Sequence, residues 1–153
     1  MKKVLLFSSV IILTSISMQS QSSILERNSN FKGATATLDS YKAIYQLDSN
    51  DPRIINKTIR NINNALEDPR LKNKLQIELV AFSGGTDAFL RDSAYEAELK
   101  ELVIKGVTVV QCSNTLKERH LNRDQIYAFI AVVPSGNGEL IIRQAEGWAI
   151  IKP

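Results

Sequence analysis

The sequence contains one cysteine and one histidine among 153 residues, and these two scarcities exclude several kinds of site. A structural zinc site takes four cysteine or histidine ligands, so the chain cannot form one. A disulfide within the chain is excluded for the same reason. Cys112 is therefore a buried inert thiol, a partner in an intermolecular bond or a free reactive group. We expect no bound metal and no cofactor.

A concentrated basic surface is also lacking. The 19 lysine and arginine residues are interleaved with 16 aspartate and glutamate residues, whereas nucleic-acid-binding proteins usually gather their basic residues on one face. Lys2 and Lys3 lie in an N-terminal segment that we treat separately. Without that segment, which has no acidic residue, the net charge is 17 − 16 = +1. We expect no nucleic-acid partner.

The N-terminus has the pattern of a secretory signal peptide. Lys2 and Lys3 precede a short apolar run that ends at Ile16, and small residues follow. The run is shorter than the roughly 20 apolar residues of a membrane span, although an uncleaved membrane anchor is the alternative. The two sequences that fit cleavage best are Ser15-Ile16-Ser17 and Ser20-Gln21-Ser22.

These features divide the chain into three parts. Residues 1–20 are predicted to be the signal peptide. Residues 21–40 are rich in serine, asparagine and threonine and are predicted to be a linker. Residues 41–153 are predicted to form one α/β domain, exported to the periplasm or secreted and free of the membrane after cleavage.

Strands and helices alternate along the predicted domain. Five segments rich in β-branched and aromatic residues predict strands: Tyr41–Leu47, Leu75–Phe82, Val107–Gln111, Tyr127–Val133 and Trp148–Ile151. The helices between them are predicted from capping signals and apolar spacing: from Pro52 with Asp51 as N-cap, from Ser93 to Lys105, from Thr115, after Asn122, and from Leu140 to Glu146.

Connections of this length are too long for hairpins, so the strands are expected to run parallel. The strand segments near Val107 and Tyr127 are almost entirely apolar, as in a sheet covered on both sides. The sequence therefore predicts a three-layer α/β/α fold with a parallel sheet of about five strands.

Cys112 follows the third strand directly and precedes a predicted helix start near Thr115. In parallel sheets, ligands and catalytic groups gather at the carboxyl ends of the strands. The positive end of the helix favours a thiolate, which is the nucleophilic form of cysteine. The alternative is a packing role, because a free cysteine is among the residue types most often buried.

Three other features near the strand ends have simpler interpretations. The loops Ser83–Thr86 and Ser135–Gly138 have the composition of anion-binding turns, but ordinary turn and cap roles explain them better. His120 lies eight residues after Cys112, and nothing in the sequence returns it to the thiol. We expect it to be exposed.

Several segments together resemble the DsrE/DsrF-like family. Gln111-Cys112-Ser113-Asn114-Thr115-Leu116 is similar to the Cys-x-Asn-Thr motif of that family. The similarity covers nearly all of residues 41–153 and includes further segments in the same order: Asp51-Pro52, Glu78–Ala81, Val132–Gly136, Glu139-Leu140, Arg143-Gln144 and Glu146–Pro153.

The resemblance implies a flavodoxin-like, DsrEFH-like fold, homo-oligomers that are often trimers or hexamers, and sulfur transfer. In this family a cysteine carries a persulfide and passes the sulfur to a partner protein. The residue that carries over is Cys112, with Ser113, Asn114 and Thr115 expected to support its thiolate. This chain departs from the family at two positions, since Ser113 stands where glycine is frequent and Phe82 where histidine is frequent.

Three hypotheses for function follow. The first is a sulfurtransferase-like sulfur carrier that accepts and passes on a persulfide at Cys112, with a sulfur donor and an acceptor protein as partners. The second is a non-catalytic exported oligomeric module that binds a ligand with the strand-end loops, Cys112 being structural. The third is a structural oligomer subunit without a ligand.

The predicted signal peptide gives a direct test. If residues up to the small-residue region are removed on export, N-terminal sequencing of the secreted or periplasmic protein will find a start between Met18 and Ser23. Soluble cytoplasmic protein that retains Met1 would contradict the prediction.

Overall fold

A computed structural model describes residues 21–153 of the chain. The chain divides into two compact units, the first ending at Thr35 and the second comprising Ala36–Pro153. In the first unit, residues 21–29 of the predicted linker form helix α1. The predicted signal peptide, residues 1–20, lies outside the described residues. Within the described range, no helix has the length and apolar character needed to cross a bilayer.

The second unit is built on a five-stranded sheet in which every neighbouring pair is parallel. The strands lie in the order β4-β3-β2-β1-β5, and their bounds are β1 Tyr41–Leu47, β2 Leu75–Ala81, β3 Thr108–Cys112, β4 Ala131–Val133 and β5 Ala149–Ile151. The predicted parallel α/β fold is therefore confirmed.

Four α-helices and two short 3₁₀ helices connect the strands. The α-helices are α2 Pro52–Glu67, α3 Glu96–Ile104, α4 Ser113–Glu118 and α5 Gly136–Ala145; the 3₁₀ helices are Ser83–Phe89 and Arg123–Gln125. Asp51 caps α2 as predicted, because its carboxylate accepts the N–H of Arg53 at 2.9 Å. Gly106 and Gly147 follow α3 and α5 with φ of +91° and +83°, which glycine adopts without strain.

The order of the strands places the helices on both faces of the sheet. From β1 to β4 the chain moves steadily toward one edge, so right-handed crossovers put their helices on one face. From β4 the chain returns to the opposite edge to form β5, and this crossover puts α5 on the other face. The three layers follow from this single reversal of direction.

The two faces of the sheet differ in the size of the apolar clusters that cover them. The face that packs against α2 and α3 contains the large core, which includes Leu79, Phe89, Leu99 and Val109. The face that packs against α5 has a smaller cluster of Ile44, Val80, Val110 and Leu140, with Phe82, Val133 and Trp148 at its margin.

Two predicted element boundaries in this part of the chain are wrong because side-chain hydrogen bonds override the sequence pattern. The fourth strand was expected to begin at Tyr127 but begins at Ala131. The guanidinium of Arg123 donates to the carbonyls of Ile126, Tyr127, Ala128 and Ile130 at 2.6–3.3 Å, which holds this apolar segment in a turn.

The predicted capping box of Ser93 and Glu96 does not form. Helix α3 begins at Glu96, and its N-cap residue, Tyr95, makes no side-chain capping bond. The hydroxyl of Ser93 instead lies 2.8 Å from the carbonyl oxygen of Ala88 and 3.1 Å from the hydroxyl of Tyr127. A tertiary contact has therefore replaced the local cap.

A buried carboxylate joins α5 to the sheet. Glu78 of β2 is 1% exposed, and its Oε2 accepts from Nε and Nη2 of Arg143 at 2.9 and 2.8 Å. Its Oε1 is buried without a hydrogen-bond partner among the described residues. Burial raises the pKa of Glu78 above its ordinary value of 4.5, Arg143 opposes that rise, and the nearby Glu139 adds to it.

Because the folded pKa of Glu78 is raised, the unfolded chain ionises first as the pH increases. Stability should therefore fall as the pH rises from 4.5 through the folded pKa, at about 1.4 kcal/mol for each unit of pKa elevation. We expect Glu78→Gln to remove this loss and to be at least as stable as wild type at pH 7, measured by urea unfolding across that range. Glu146→Gln, at an exposed residue that contacts the same Arg143, is the control. A large destabilisation of Glu78→Gln at pH 7 would show that the ionised pair stabilises the fold.

Candidate functional site

The carboxyl ends of β2, β3 and β4 meet at one edge of the sheet, and close backbone packing shapes this edge. Cys112 pairs with Val133 in the β3–β4 register, so the start of α5 follows only three residues after the neighbour of Cys112. Gly136, the first residue of α5, packs against Phe82, and a Cβ atom at this position would lie 2.7 Å from Cδ1 of that ring. Glycine therefore allows the backbone of α5 to come close to the sheet.

Cys112 is the last residue of β3 and also the N-cap residue of α4. The predicted helix start at Thr115, with Glu118 completing a capping box, is therefore wrong, since α4 begins at Ser113. Thr115 lies within the first turn of α4, where its Oγ1 accepts the N–H of Ser83 at 3.1 Å. The thiol is accordingly closer to the helix start than the sequence indicated.

Opposing effects act on the thiol. Burial raises its pKa, while the N–H of Gly136, the N–H and hydroxyl of Thr115, and the N–H of Asn114 lower it. The donors outweigh burial, and the pKa of Cys112 lies below its ordinary value of 9.0. The side chain of Cys112 makes no regular capping hydrogen bond to α4. The sulfur lies near the positive ends of both α4 and α5.

The thiol is only slightly accessible, since Cys112 is 5% exposed. Thr115 is equally buried, Ser113 is half-buried and Asn114 is exposed. A reagent therefore has little direct access to the sulfur. The geometry combines a favoured thiolate with restricted access.

The buried side chain of Gln111 holds the backbone of Cys112 in place. Gln111 is fully buried, and its Nε2 donates to the carbonyl of Cys112 at 3.0 Å and to Oγ1 of Thr86 at 2.9 Å. This side chain ties the end of β3 to the 3₁₀ helix Ser83–Phe89. Its Oε1 is buried without a partner among the described residues.

The first residue of that 3₁₀ helix is held in an unusual conformation. Ser83 has φ of +50°, in the left-handed region that non-glycine residues seldom occupy. Its N–H donates to Thr115, and its carbonyl accepts from Nη1 of Arg119 at 3.1 Å. Arg119 also pairs with Asp87, which accepts from Asn50. Such strain persists only where neighbouring contacts fix the residue, and here it brings a donor to Thr115.

Of the residues predicted to support the thiolate, the structure places Asn114 and Thr115 beside the sulfur. Ser113 is not among the main groups that lower the thiol pKa. Gly136 was considered only as part of the loop Ser135–Gly138, which was assigned ordinary turn and cap roles, because its place next to Cys112 depends on the β3–β4 register. His120 is exposed two residues beyond the end of α4, and this six-residue helix, roughly 9 Å long, separates it from Cys112.

Candidate metal ligands do not cluster in the part of the chain that the structure describes. Across residues 21–153, no three histidine, cysteine, aspartate or glutamate side chains come together as metal ligands would.

The fold and this edge define a class of protein: a parallel α/β domain with one thiol at a strand end, between the starts of two helices. The model of the DsrE/DsrF-like family matches residues 28–153. The chain belongs to this family, and the match begins within the predicted linker. A comparison with curated proteins finds no match.

Two solved structures are similar to this chain. MTH1491 from Methanobacterium thermoautotrophicum, a protein of unknown function, is 35% identical with a TM-score of 0.71, and the alignment covers 74% of this chain and 100% of that one. BT1422 from Bacteroides thetaiotaomicron, a conserved protein of unknown function, is 16% identical with a TM-score of 0.60, covering 79% and 100%. The second likeness shows the fold alone.

The contacts of Thr115 predict how the thiol titrates. Thr115→Val keeps the shape of the side chain but removes the hydroxyl, so the pKa of Cys112 should rise by about one unit, in keeping with the loss of a hydrogen bond to a charged group. The measurement is the pH dependence of iodoacetamide alkylation. Ser113→Ala should leave the midpoint unchanged. Equal shifts in both variants would contradict the assignment of the donors.

Proposed function

We propose that this protein is a thiol-based sulfur carrier that accepts and passes on a persulfide at Cys112. The observation that carries the proposal is the position of the sulfur near the starts of α4 and α5, where N–H groups lower the pKa of the thiol despite its burial. A thiolate is the form that attacks sulfur, and a lowered pKa increases its fraction at neutral pH.

The transfer takes place in two balanced steps. The Cys112 thiolate attacks the outer sulfur of a donor persulfide, a new S–S bond forms, the donor's S–S bond breaks, and its electron pair leaves on the donor thiolate. An acceptor thiolate then attacks the outer sulfur carried by Cys112 and releases the Cys112 thiolate. Neither step needs an oxidant or a reductant, because sulfane sulfur passes from one thiol to another.

Membership of the DsrE/DsrF-like family supports this proposal. Phe82 stands where the family frequently has histidine, and its ring packs against Gly136. A phenyl ring has no basic nitrogen and cannot accept the thiol proton, so this chain relies on N–H groups to stabilise the thiolate. The low exposure of the sulfur slows, but does not prevent, exchange of a persulfide on Cys112 with thiols in solution.

Export and assembly complete the proposal. The N-terminal pattern of basic and apolar residues supports export, which would place the donor and the acceptor protein outside the cytoplasm. The exposed aliphatic side chains of Ile141 and Ile142 on α5 and the open strand edges support a homo-oligomer.

Persulfide loading tests the proposed function. Incubation of the reduced protein with a small-molecule persulfide should add one sulfur atom to Cys112, seen by intact mass and removed by dithiothreitol. Transfer of that sulfur to a low-molecular-weight thiol should restore the original mass. Because the chain has one cysteine, Cys112→Ser should abolish the mass gain while the circular dichroism spectrum stays unchanged.

The opposite result would favour the binding module. A thiol that resists both persulfide and alkylation up to pH 9 in the folded protein, yet reacts in urea, would make Cys112 a packing residue. The strand-end loops would then be the remaining candidates for function.

A further inference from the structure

Helix α5 rests on its face of the sheet with little apolar contact. Among its ten residues, only Gly136 and Leu140 are buried. Ile141 and Ile142 are 68% and 55% exposed, so they add nothing to its attachment within the chain. Apolar packing therefore holds only the first half of α5, where Gly136 packs against Phe82 and Leu140 is buried.

Arg143 supplies the second point of attachment. Its guanidinium contacts Glu78 on β2 and Glu139 one turn earlier, the latter at 3.0 Å. It also stacks on Trp148 at 4.4 Å from the ring centroid and contacts Glu146 at 3.2 Å. Arg143 thus joins the helix, the sheet and the residue that precedes β5.

This attachment is not explained by stability. A buried ion pair seldom stabilises a fold more than apolar residues of the same volume would. In this pair, burial disfavours the charged form of Glu78, and one oxygen of that carboxylate has no hydrogen-bond partner within residues 21–153. A planar guanidinium fixes the orientation of the helix, which apolar packing does not. It does so because it donates along defined directions to two carboxylates at once.

The direction matters because of what lies at the other end of the helix. Gly136 is seven residues before Arg143, about 10 Å along the axis, and its N–H acts on the sulfur of Cys112. A short helix moves as a rigid body, so its rotation about the Leu140 contact would carry Gly136 away from the sulfur. We infer that Arg143 is a positioning residue that aims the first N–H of α5 at Cys112 by bridging Glu78 and Glu139.

This inference rests on the proposed function, since it gives a task to an N–H that stabilises the Cys112 thiolate. Arg143→Gln should raise the midpoint of Cys112 alkylation by about half a unit to one unit, which slows alkylation at pH 7 about three- to tenfold. Arg143→Lys should give a similar rise, because an ammonium is a point charge that lacks the planar fork.

A matched control separates positioning from general destabilisation. Leu102→Ala creates a cavity in the core on the opposite face and lowers the melting temperature without touching α5. It should leave the alkylation midpoint unchanged. The double variant Glu78→Leu/Arg143→Leu replaces the ion pair with apolar residues and preserves folding if Arg143→Gln does not fold. It should also raise the midpoint.

The outcomes distinguish the two proposals. A low midpoint in the wild type that persists in the folded Arg143 and double variants would overturn the positioning role while leaving the sulfur carrier intact. An equal rise in Leu102→Ala would also overturn it. A wild-type midpoint at or above that of a free thiol would overturn the sulfur carrier itself.

Discussion

The return of the chain from β4 to the far side of β1 is the constraint on which the rest of the structure depends. It is the one connection within the described sheet that runs against the direction of the other crossovers, and handedness therefore places α5 on the face opposite α2 and α3. Because β4 is the neighbour of β3, the chain that leaves β4 passes directly beside Cys112 before it enters α5. The same reversal thus creates the third layer and brings a second helix start to the thiol.

The pKa of the Cys112 thiol is set by burial, which raises it, and by backbone N–H donors, which lower it. Burial disfavours a thiolate, and one short helix offers a limited counterweight, because the field of a helix terminus falls off within its first turn. The N–H groups at the starts of α4 and α5, together with the hydroxyl of Thr115, lower the pKa of Cys112 by more than burial raises it. The hydroxyl contributes because its oxygen already accepts the N–H of Ser83, which leaves its hydrogen free for the sulfur. The strained backbone of Ser83 therefore orients the hydroxyl of Thr115.

Much of the fold could be predicted from the sequence because it depends on local signals. Apolar β-branched runs mark the strands, Asp51 and Pro52 mark the start of α2, and the alternation of elements implies a parallel sheet. The errors occur where side-chain hydrogen bonds override the pattern of apolar and capping residues. Arg123 holds the apolar segment before β4 in a turn, and Tyr127 takes the hydroxyl of Ser93 away from a helix cap.

The candidate site divides in the same way. Cys112 and Thr115 could be identified because a thiol and a helix start adjoin in the sequence. Gly136 and Gln111 could not, because their roles depend on strand register and on the depth of the core. A glycine after Pro134 and Ser135 is an ordinary turn residue until the neighbouring strand is known.

The departure at Phe82 connects these observations. Without a proton acceptor at that position, the charge on sulfur must be stabilised by groups that donate, and backbone N–H groups are effective only at short range and in the right direction. The ring of Phe82 occupies the space against which Gly136 packs, so it sets how near α5 comes to the sheet. Phenylalanine at position 82 therefore cannot act as a base, but its ring provides the surface that fixes the N–H of Gly136. Under the proposed function, the reactivity of Cys112 would then depend on how accurately α5 is placed.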